Sequence, residues 1–389
     1  MKKTVLVFLC FFFSILIYAR PALDDSILVK KRIQLVRSLE YLQVNEEANL
    51  LNGAFPSLRK YYFGVAYKKE DNVFFTALIL WNLGQFKAQM TAQEFASFDQ
   101  IKYKARPYIE RFKNQTNQLT YNFWPRNPPQ IFPNGGWLNR LNQKYALADD
   151  IDDGAITLLA LGANDSLAKA MQTKFDAYRV GKIKPNQSFY KQFKNRPVYS
   201  TWLGTKMPKD VDLSVLTNVL LMHTVAKIPL NATDTASLDL IVDLVSANKH
   251  MTDPKYVSQH YANSATIIYH LARLINYSNY PALLSLKSIL LDDALQLSKR
   301  ARFPLEQLLL NTSILRLGGH VDLPFDIDEV SLTANNYPYF VANIAAVLNN
   351  PFKRIVNRSN IVRFDYYSYA FNLSLMYENL MLRGINSSL

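Results

Sequence analysis

The chain has 389 residues, of which 49% are hydrophobic and 13% aromatic, and its 44 lysines and arginines against 31 aspartates and glutamates give a formal net charge of +13. Such a long, apolar chain can bury a large core, which excludes disorder, and its 12 glycines and 17 prolines exclude collagen-like and low-complexity classes. The single cysteine, Cys10, lies in an apolar N-terminal run. We therefore exclude a disulfide scaffold, a Cys-ligated zinc site and a cysteine nucleophile in the mature chain.

The N-terminus has the pattern of an export signal. Lys2 and Lys3 precede an apolar stretch over 5–18, and the small residue Ala19 follows it. This order predicts a secretory signal peptide at residues 1–19, with an uncleaved anchor as the alternative. No other stretch is long and apolar enough to span a bilayer. We therefore expect a secreted, periplasmic or extracellular protein with no stable membrane span after cleavage.

A second pattern concerns the same compartment. Nine Asn-x-Ser/Thr triplets occur in the chain, about twice the number that chance would give. The excess favours a glycosylated secretory protein, and an Asn-rich composition is the alternative explanation. The triplets begin at Asn114, Asn164, Asn186, Asn231, Asn276, Asn311, Asn357, Asn372 and Asn386.

Helical spacing of apolar residues dominates the chain, and strand signals are weak. The exception is 118–140, where four prolines and an Asn-Gly-Gly turn signal predict a long ordered loop with room for one short hairpin. In chain order, helices are predicted over 24–43, 71–86, 93–113, 150–162, 164–180, 211–227, 235–248, 256–275, 281–299, 304–317, 338–348 and 364–383.

Several of these helices read as imperfect repeats, in which a few polar residues run into an apolar helix. The repeats begin at about residues 71, 150, 211, 256, 304 and 366, and each has room for one helical hairpin. Hairpins that cannot bury their apolar faces alone stack into a solenoid or a closed ring. No linker-like segment divides the chain, so we predict one all-α domain over 24–385.

The densest group of chemically active residues is Asp149-Asp150-Ile151-Asp152-Asp153. On a helix, Asp149, Asp152 and Asp153 share one face. Four carboxylates so close together cannot all ionise at low cost, so at least one is expected to have a raised pKa and to act as an acid near neutral pH. The alternatives are a divalent cation held across Asp149 and Asp153, or simple helix capping.

Taken together, the repeats resemble the α/α-toroid superfamily that includes terpenoid cyclases and protein prenyltransferases. The resemblance covers most of residues 60–385 and implies an α/α toroid of about six helical hairpins, whose inner helices line a central cavity with their N-terminal residues facing it. Asp150-Ile151-Asp152-Asp153 is similar to the Asp-x-Asp-Asp motif of squalene-cyclase-like members, which implies Asp150, Asp152 and Asp153 as catalytic residues and Asp152 as the proton donor. Asp149, Asp150 and Asp153 also match the Asp-Asp-x-x-Asp motif that binds magnesium diphosphate in ionising terpene synthases.

Further candidates stand near this cluster or at equivalent repeat starts. The aromatic group Tyr121, Phe123, Trp124, Phe132 and Trp137 could form a cavity wall, or it could pin the long loop to the core. The predicted cavity or ligand-binding residues are Asp149, Asn72, Trp124, Trp137, Asp212 and Asn218. The five histidines lack metal-ligand spacing, so no metal site is predicted, and no cofactor is identified.

These observations predict a secreted toroid that is an enzyme, using the acidic cluster for acid–base chemistry in an aromatic-lined cavity. Its chemistry is either cyclase-like or carbohydrate-active, since many helical toroids cleave glycans with paired carboxylates. The alternative is a non-catalytic secreted protein that binds an apolar or acidic ligand. In either case the partner is a small molecule or a glycan, and a nucleic acid is not expected.

Overall fold

The computed structural model of the protein describes residues 25–45, 50–116, 119–127, 130–131, 147–162, 164–182, 189–205, 207–321, 328–334, 336–343, 345, 348–361 and 363–387. The predicted signal peptide and Trp137 lie outside these residues. The helices are α1 (Asp25–Leu42), α2 (Val73–Gly84), α3 (Ala92–Glu110), α4 (Ile151–Leu161), α5 (Asp165–Asp176), α6 (Leu213–Val225), α7 (Ala232–Ser246), α8 (Lys249–Thr252), α9 (Pro254–Val257), α10 (Ser264–Tyr277), α11 (Pro281–Leu284), α12 (Lys287–Ser298), α13 (Pro304–Arg316), α14 (Phe352–Ser359) and α15 (Tyr369–Ser387). The strands are β1 (Ser57–Tyr61), β2 (Tyr67–Glu70), β3 (Phe340–Asn343) and β4 (Arg363–Tyr367), and short 3₁₀ helices span Lys87–Gln89, Lys191–Phe193 and Ser331–Thr333.

Six helices close into a ring. In order around it, α2, α4, α6, α10, α13 and α15 pack each against the next, and α15 returns to α2. Outside them, α1 packs on α15 and α3, α3 on α2, α5 on α4 and α6, α7 on α6, and α12 on α10 and α13. Of the solenoid and the closed ring that the repeats allow, the packing of the helices shows the ring, and it confirms the α/α toroid that the resemblance implies.

The inner helices differ from the outer ones because they are enclosed on all sides. In α2, α4 and α6 nearly every residue is buried, polar side chains included, whereas α3 and α5 bury one stripe. A helix that is apolar around its whole circumference needs such an enclosed position. The apolar runs after residues 71, 150 and 211 are thus the sequence signature of the inner ring.

The fourth repeat begins later than predicted. A helix was expected over 256–275, but α10 begins at Ser264, and the preceding segment forms the short helices α8 and α9 followed by residues without helical hydrogen bonds. The backbone N–H of His260 instead donates to Asp212, and its carbonyl accepts from the N–H of Val341. Contacts distant in sequence therefore override the local helical pattern at this point.

A small sheet takes the place of two predicted helical stretches. Its four strands are antiparallel in the order β2-β1-β4-β3, with Leu58 opposite Tyr367 and Phe340 opposite Tyr366. The helix predicted over 338–348 is wrong at β3, and the one predicted over 364–383 begins as β4. Within 118–140, the described part forms a single isolated bridge between Tyr121 and Lys113.

The ring interior is filled partly by charged groups. The Glu378 carboxylate on α15 accepts from Arg316 Nε on α13 at 2.7 Å and from the Tyr269 hydroxyl on α10 at 2.7 Å. The Arg273 guanidinium lies 4.8 Å from the centre of the Tyr269 ring and donates to Asn218 on α6 at 2.6 Å. This chain of contacts joins four successive inner helices across the core.

The structure bears on two predictions made from the sequence, the absence of a second membrane span and the glycosylation of the Asn-x-Ser/Thr triplets. Among the described residues, none of the helices combines the length and the apolar character that crossing a membrane requires. Three of the nine glycosylation triplets have buried asparagines, Asn311, Asn357 and Asn372, so a glycan does not fit there in the folded chain. Asn164 and Asn231 use their side-chain oxygens to cap α5 and α7.

The central ion pair provides a test of the ring. Glu378→Ala leaves the buried Arg316 guanidinium without its carboxylate, so we expect the free energy of unfolding to fall by about 3–5 kcal/mol in urea denaturation. Glu110→Ala is the matched control, because Glu110 is half exposed and pairs with Lys113 at 3.6 Å on the surface; it should cost less than about 1 kcal/mol. Equal losses in the two variants would contradict a ring held by this pair.

Candidate functional site

The beginnings of three inner helices meet the sheet at one end of the ring. Asn72, Asp150 and Asp212 are the N-caps of α2, α4 and α6, and each accepts a hydrogen bond from a backbone N–H of its helix. The β3 residue Phe340 packs on Phe74 of α2, with 5.1 Å between the ring centres. The N-terminal ends of inner helices carry partial positive charge, so this end of the ring favours carboxylates.

All four aspartates of the predicted cluster are buried at this end, between 2% and 8% exposed. They are therefore not a solvated helix cap, although Asp150 does cap α4. Their partners differ, and the partners decide what each carboxylate can do.

Asp149 is engaged by the preceding loop. Its carboxylate accepts hydrogen bonds from Asn114 and Thr120 at 2.6 Å each, from Asn122 at 3.2 Å and from the Arg126 guanidinium at 2.9 Å. This arrangement holds Asn114 and the segment over 120–126 against the start of α4. A ligand-binding role for Asp149 stays a prediction, and it would compete with these four donors.

Asp150 and Asp153 form a carboxyl pair. The Asp153 backbone N–H donates to Asp150 Oδ1 at 2.8 Å. Burial raises the pKa of Asp150 to about 6 and, with the charge of Asp150 added, raises the pKa of Asp153 well above its usual range. The two carboxyls therefore titrate as a coupled pair, in which a protonated Asp153 is favoured over a second buried charge. Asp153 Oδ2 is buried and has no hydrogen-bond partner.

Asp152 links α4 to α6 and to the segment before α10. Its oxygens accept from the Asn218 amide at 2.7 Å and from the Tyr261 hydroxyl. Burial, followed by the charge of Asp150, raises the pKa of Asp152 to about 7. Asn218 accepts in turn from Arg273, so this predicted residue connects the acidic cluster to the charged ring interior.

A second group of charges, mostly missed by sequence reasoning, adjoins the first. Asp212 accepts from the Ser258 hydroxyl at 2.7 Å and from the His260 N–H at 2.9 Å, and burial raises its pKa. Burial alone would raise the pKa of Asp210, but the Lys353 ammonium at 2.9 Å and His260 hold it below its usual range. Only Asp212 was predicted here, from its position at a repeat start.

His260 is held as a cation within this group. Burial alone would lower the pKa of His260, but the Asp210 carboxylate, 3.8 Å from Nε2, together with Asp212 raises it to about 9. Its Nε2 has no hydrogen-bond partner. Asp150 also feels this charge, which opposes the rise in its own pKa.

Aromatic rings surround the imidazole. Phe340 stacks on His260 with 6.1 Å between ring centres and 13° between planes, and Phe123 stacks on Phe340 at 5.6 Å. Trp202 lies 6.2 Å from His260, and its backbone forms a bridge with Asp150. The indole Nε1 of Trp202 is buried without a partner. Trp202 had no signal in the sequence, because only backbone pairing between distant segments brings residues 199–203 beside Asp150. His260 had none either.

Two predicted cavity residues have structural partners instead. Trp124 is fully buried, and its Nε1 donates to Glu70 at 3.2 Å. The Asn72 amide caps α2 and donates to Ser57 on β1 at 2.7 Å. The first contact joins the loop before α4 to β2, and the second joins the start of α2 to β1. Their roles in ligand binding, like that of Trp137, stay predictions.

A metal is not supported by this geometry. Within the part of the chain that the structure describes, no group of three or more His, Cys, Asp or Glu side chains is arranged to hold a metal ion. The cation considered across Asp149 and Asp153 would have to displace the donors on Asp149.

Comparison with known proteins gives little more. No family model matches the sequence, and no curated protein is significantly similar to it. One solved structure, described as an unsaturated glucuronyl hydrolase specific for heparin, superposes with a TM-score of 0.41 and 10% identity, covering 94% of this chain and 99% of that chain. A similarity this weak carries no argument about function, and the toroid is established by the helix packing described above.

The raised pKa values predict how stability depends on pH. Asp150, Asp152 and His260 all bind protons more tightly in the folded chain, with pKa values of about 6, 7 and 9. The folded state therefore holds more protons than the unfolded state between about pH 4 and 9, and the free energy of unfolding should fall as the pH rises through that window. Urea denaturation at pH 5, 7 and 9 measures this. In Asp152→Asn, the free energy of unfolding should fall less between pH 5 and 7, because this carboxyl no longer titrates, and it should still fall between pH 7 and 9 because of His260. A wild-type stability that rises from pH 5 to 9 would contradict these assignments.

Proposed function

We propose that this protein is a carbohydrate-active enzyme in which the Asp150–Asp153 pair performs acid–base chemistry on a glycosidic bond. The observation that carries the proposal is the pair itself. It is buried, the pKa values of both carboxyls are raised, and Asp153 Oδ2 has no hydrogen-bond partner. The indole nitrogen of Trp202, whose backbone forms a bridge with Asp150, also has none. Perturbed carboxyl pairs with unfilled hydrogen-bonding capacity are typical of catalytic sites.

The unpartnered atoms favour a sugar over a hydrocarbon. Trp202 Nε1 and the protonated His260 Nε2 are donors, and Asp153 Oδ2 accepts or shares a proton. Leaving a buried polar atom unpaired costs about 1–3 kcal/mol, so a ligand whose hydroxyl groups pair with such atoms is favoured over one that lacks polar groups. A saccharide has hydroxyl groups for these atoms and an apolar C–H face for the surrounding rings.

The two carboxyls of the pair take complementary roles. Asp153, whose pKa burial and the charge of Asp150 raise well above its usual range, donates its proton to the leaving glycosidic oxygen as the C–O bond breaks. Because the two carboxyls lie side by side, they act from one face of the sugar. After the leaving group departs, the ionised pair accepts a proton from the water that adds to the anomeric carbon on that face, which restores the protonated pair.

Asp152 is a positioning residue in this scheme. Both of its oxygens accept hydrogen bonds from Asn218 and Tyr261, and its charge helps to raise the pKa of Asp153. The proton-donor role that the cyclase resemblance implies for Asp152 is therefore less favoured than one for Asp153.

Export is a further part of the proposal and rests on the signal pattern at residues 1–19. Outside the cytoplasm, polymeric glycans are abundant substrates, whereas isoprenoid diphosphates are not. The competing function is a binding protein that holds a saccharide at the same site without cleaving it. Measured cleavage of a polysaccharide distinguishes the enzyme from the binding protein.

The catalytic pair is tested by Asp150→Asn and Asp153→Asn. Purified variants are incubated with a panel of neutral and acidic polysaccharides, and new reducing ends and product sizes are measured. Each variant should lose about 10²–10⁴-fold in kcat, the usual worth of a positioned acid or base.

Asp165→Asn is the matched control for this experiment, because Asp165 lies in the first turn of the outer helix α5 and is exposed. It should retain full activity. Saccharide binding by calorimetry with no turnover by the wild-type chain would favour the binding protein, and full activity of both pair variants would refute the assignment.

The indole nitrogen gives a second test. Trp202→Phe keeps an aromatic ring beside His260 but removes the Nε1 donor, so KM for the saccharide should rise about tenfold, as expected when one buried hydrogen bond is lost, with a smaller change in kcat. Steady-state kinetics on the substrate found in the panel measure this. An unchanged KM would show that the indole does not contact the sugar.

A further inference from the structure

Helix α14 has its apolar and polar faces reversed. The buried side chains are Lys353, whose ammonium pairs with Asp210 at 2.9 Å, and Asn357, which accepts from the Asn343 amide at 2.9 Å. The large apolar side chains face outward, with Phe352 66% and Ile355 63% exposed. An ordinary surface helix buries its apolar stripe, so this one presents an unused apolar face.

The β1–β2 hairpin presents a second apolar surface. Its connection runs Tyr62-Phe63-Gly64-Val65-Ala66, and Phe63 is 61% and Val65 91% exposed. Tyr61, Tyr62 and Tyr67 beside them are also exposed. Aromatic and aliphatic side chains at the tip of a polar hairpin are costly in water, and they mark a contact surface when they occur together.

The two apolar surfaces adjoin each other. The Tyr61 hydroxyl donates to the carbonyl of Ile361, just beyond α14, at 2.6 Å, and the Tyr62 N–H donates to the carbonyl of Arg363. The Tyr61 ring packs on Phe364 at 5.4 Å, and Ile361 itself is exposed. The hairpin tip thus adjoins the chain that follows α14. The tip, Ile361 and the outer face of α14 are together called here the hairpin–α14 surface.

Positive charge predominates around this surface. Its exposed or half-exposed cations are Lys60, Lys68, Lys69, Arg354 and Arg358, of which Arg354 pairs with Asp253 at 3.2 Å. The other cations of residues 57–69 and 351–364 are buried and paired with carboxylates, namely Arg59, Lys353 and Arg363. Lys60 lies 5.3 Å from the centre of the Tyr67 ring, and Arg363 lies 4.9 Å from that of Tyr62, so cations stand directly beside the aromatic tip. Basic residues around exposed aromatic and aliphatic side chains are the composition of an interfacial membrane anchor.

We propose that the hairpin–α14 surface docks the protein on an anionic lipid bilayer. The apolar tip enters the boundary between headgroups and acyl chains, and the surrounding lysines and arginines contact lipid phosphates. Such docking is peripheral and needs no spanning helix. It is independent of the proposed glycan chemistry, because it uses other residues.

A glycan platform fits this surface less well. The Phe63 ring stands at 66° to Tyr61 and at 87° to Tyr62, so the tip offers no flat aromatic plane for a sugar face. The aliphatic side chains Val65, Ile355 and Ile361 also have no role in sugar stacking. All of them contribute to insertion into a lipid surface.

Vesicle sedimentation tests the docking. The full chain is mixed with vesicles of phosphatidylcholine alone or of phosphatidylcholine with phosphatidylglycerol, and the bound fraction is measured at low and high salt. We expect binding to the anionic vesicles that weakens with salt, and little binding to the neutral ones. Failure of the wild-type chain to bind anionic vesicles would overturn the proposal.

Variants locate the contact. The double variants F63S/V65S on the hairpin and F352S/I355S on α14 should each lower the vesicle partition coefficient by about tenfold or more, because each removes two inserting side chains. Y103S is the control, since Tyr103 on the outer helix α3 is 78% exposed, and it should bind like wild type. Circular dichroism and thermal melts establish that each variant is folded. Folded double variants that bind vesicles like wild type, or that lose polysaccharide binding instead, would refute the lipid assignment.

Discussion

Closing six helices into a ring removes water from both sides of each inner helix, and the beginnings of these helices must then find hydrogen-bond acceptors inside the protein. In α4 and α6 the acceptors are the carboxyl groups of Asp150 and Asp212. A cap on a surface helix stays solvated and ionised, whereas the same cap within a ring is desolvated and its pKa rises. The proton chemistry of the candidate site is thus a consequence of how the inner helices are terminated.

The distribution of cations decides which carboxyls keep a proton. Arg126 pairs with Asp149, and Lys353 with Asp210, so these two acids are compensated. Among the described residues, Asp150, Asp152 and Asp153 form no salt bridge, and the pKa of each is raised. Compensated carboxylates support the loops around the site, and uncompensated ones have the raised pKa values on which the proposed chemistry rests. Residues adjacent in sequence therefore differ in role because of partners from distant segments.

Much of the ring could be predicted from the sequence, since an inner helix leaves a local signature of a polar cap followed by an unbroken apolar run. α2, α4, α6 and α13 begin at Val73, Ile151, Leu213 and Pro304, within about two residues of the predicted repeat starts. The sheet left no such signature, because β1 and β2 are rich in lysine and arginine and are held by pairing with β4 and with each other. The start of α10 was misplaced because long-range contacts hold His260 in an extended segment.

The candidate site was only partly predictable for the same reason. The aspartates of α4 could be found because they are consecutive, and Asp212 and Asn218 because their repeat aligns with them. His260 lies in the segment before α10 and pairs with β3, Trp202 lies in the loop before α6, and Lys353 lies on α14. No local spacing in the sequence links these three residues. Trp124 belongs to the correct aromatic group, but the sequence could not show that Glu70 engages its indole nitrogen.

Helix α14 faces both the exposed hairpin–α14 surface and the buried charges of the candidate site. Its outer face carries Phe352 and Ile355, and its inner face sends the Lys353 ammonium to Asp210, which lies beside His260. Any force that shifts α14 at the surface therefore moves a buried charge next to the acidic group and changes the field there. Thermodynamic linkage makes such a coupling reciprocal, so that a ligand which alters the ionisation of the site also alters the preferred position of α14. Helix α14 therefore couples its exposed outer face to the ionisation of the buried acidic groups.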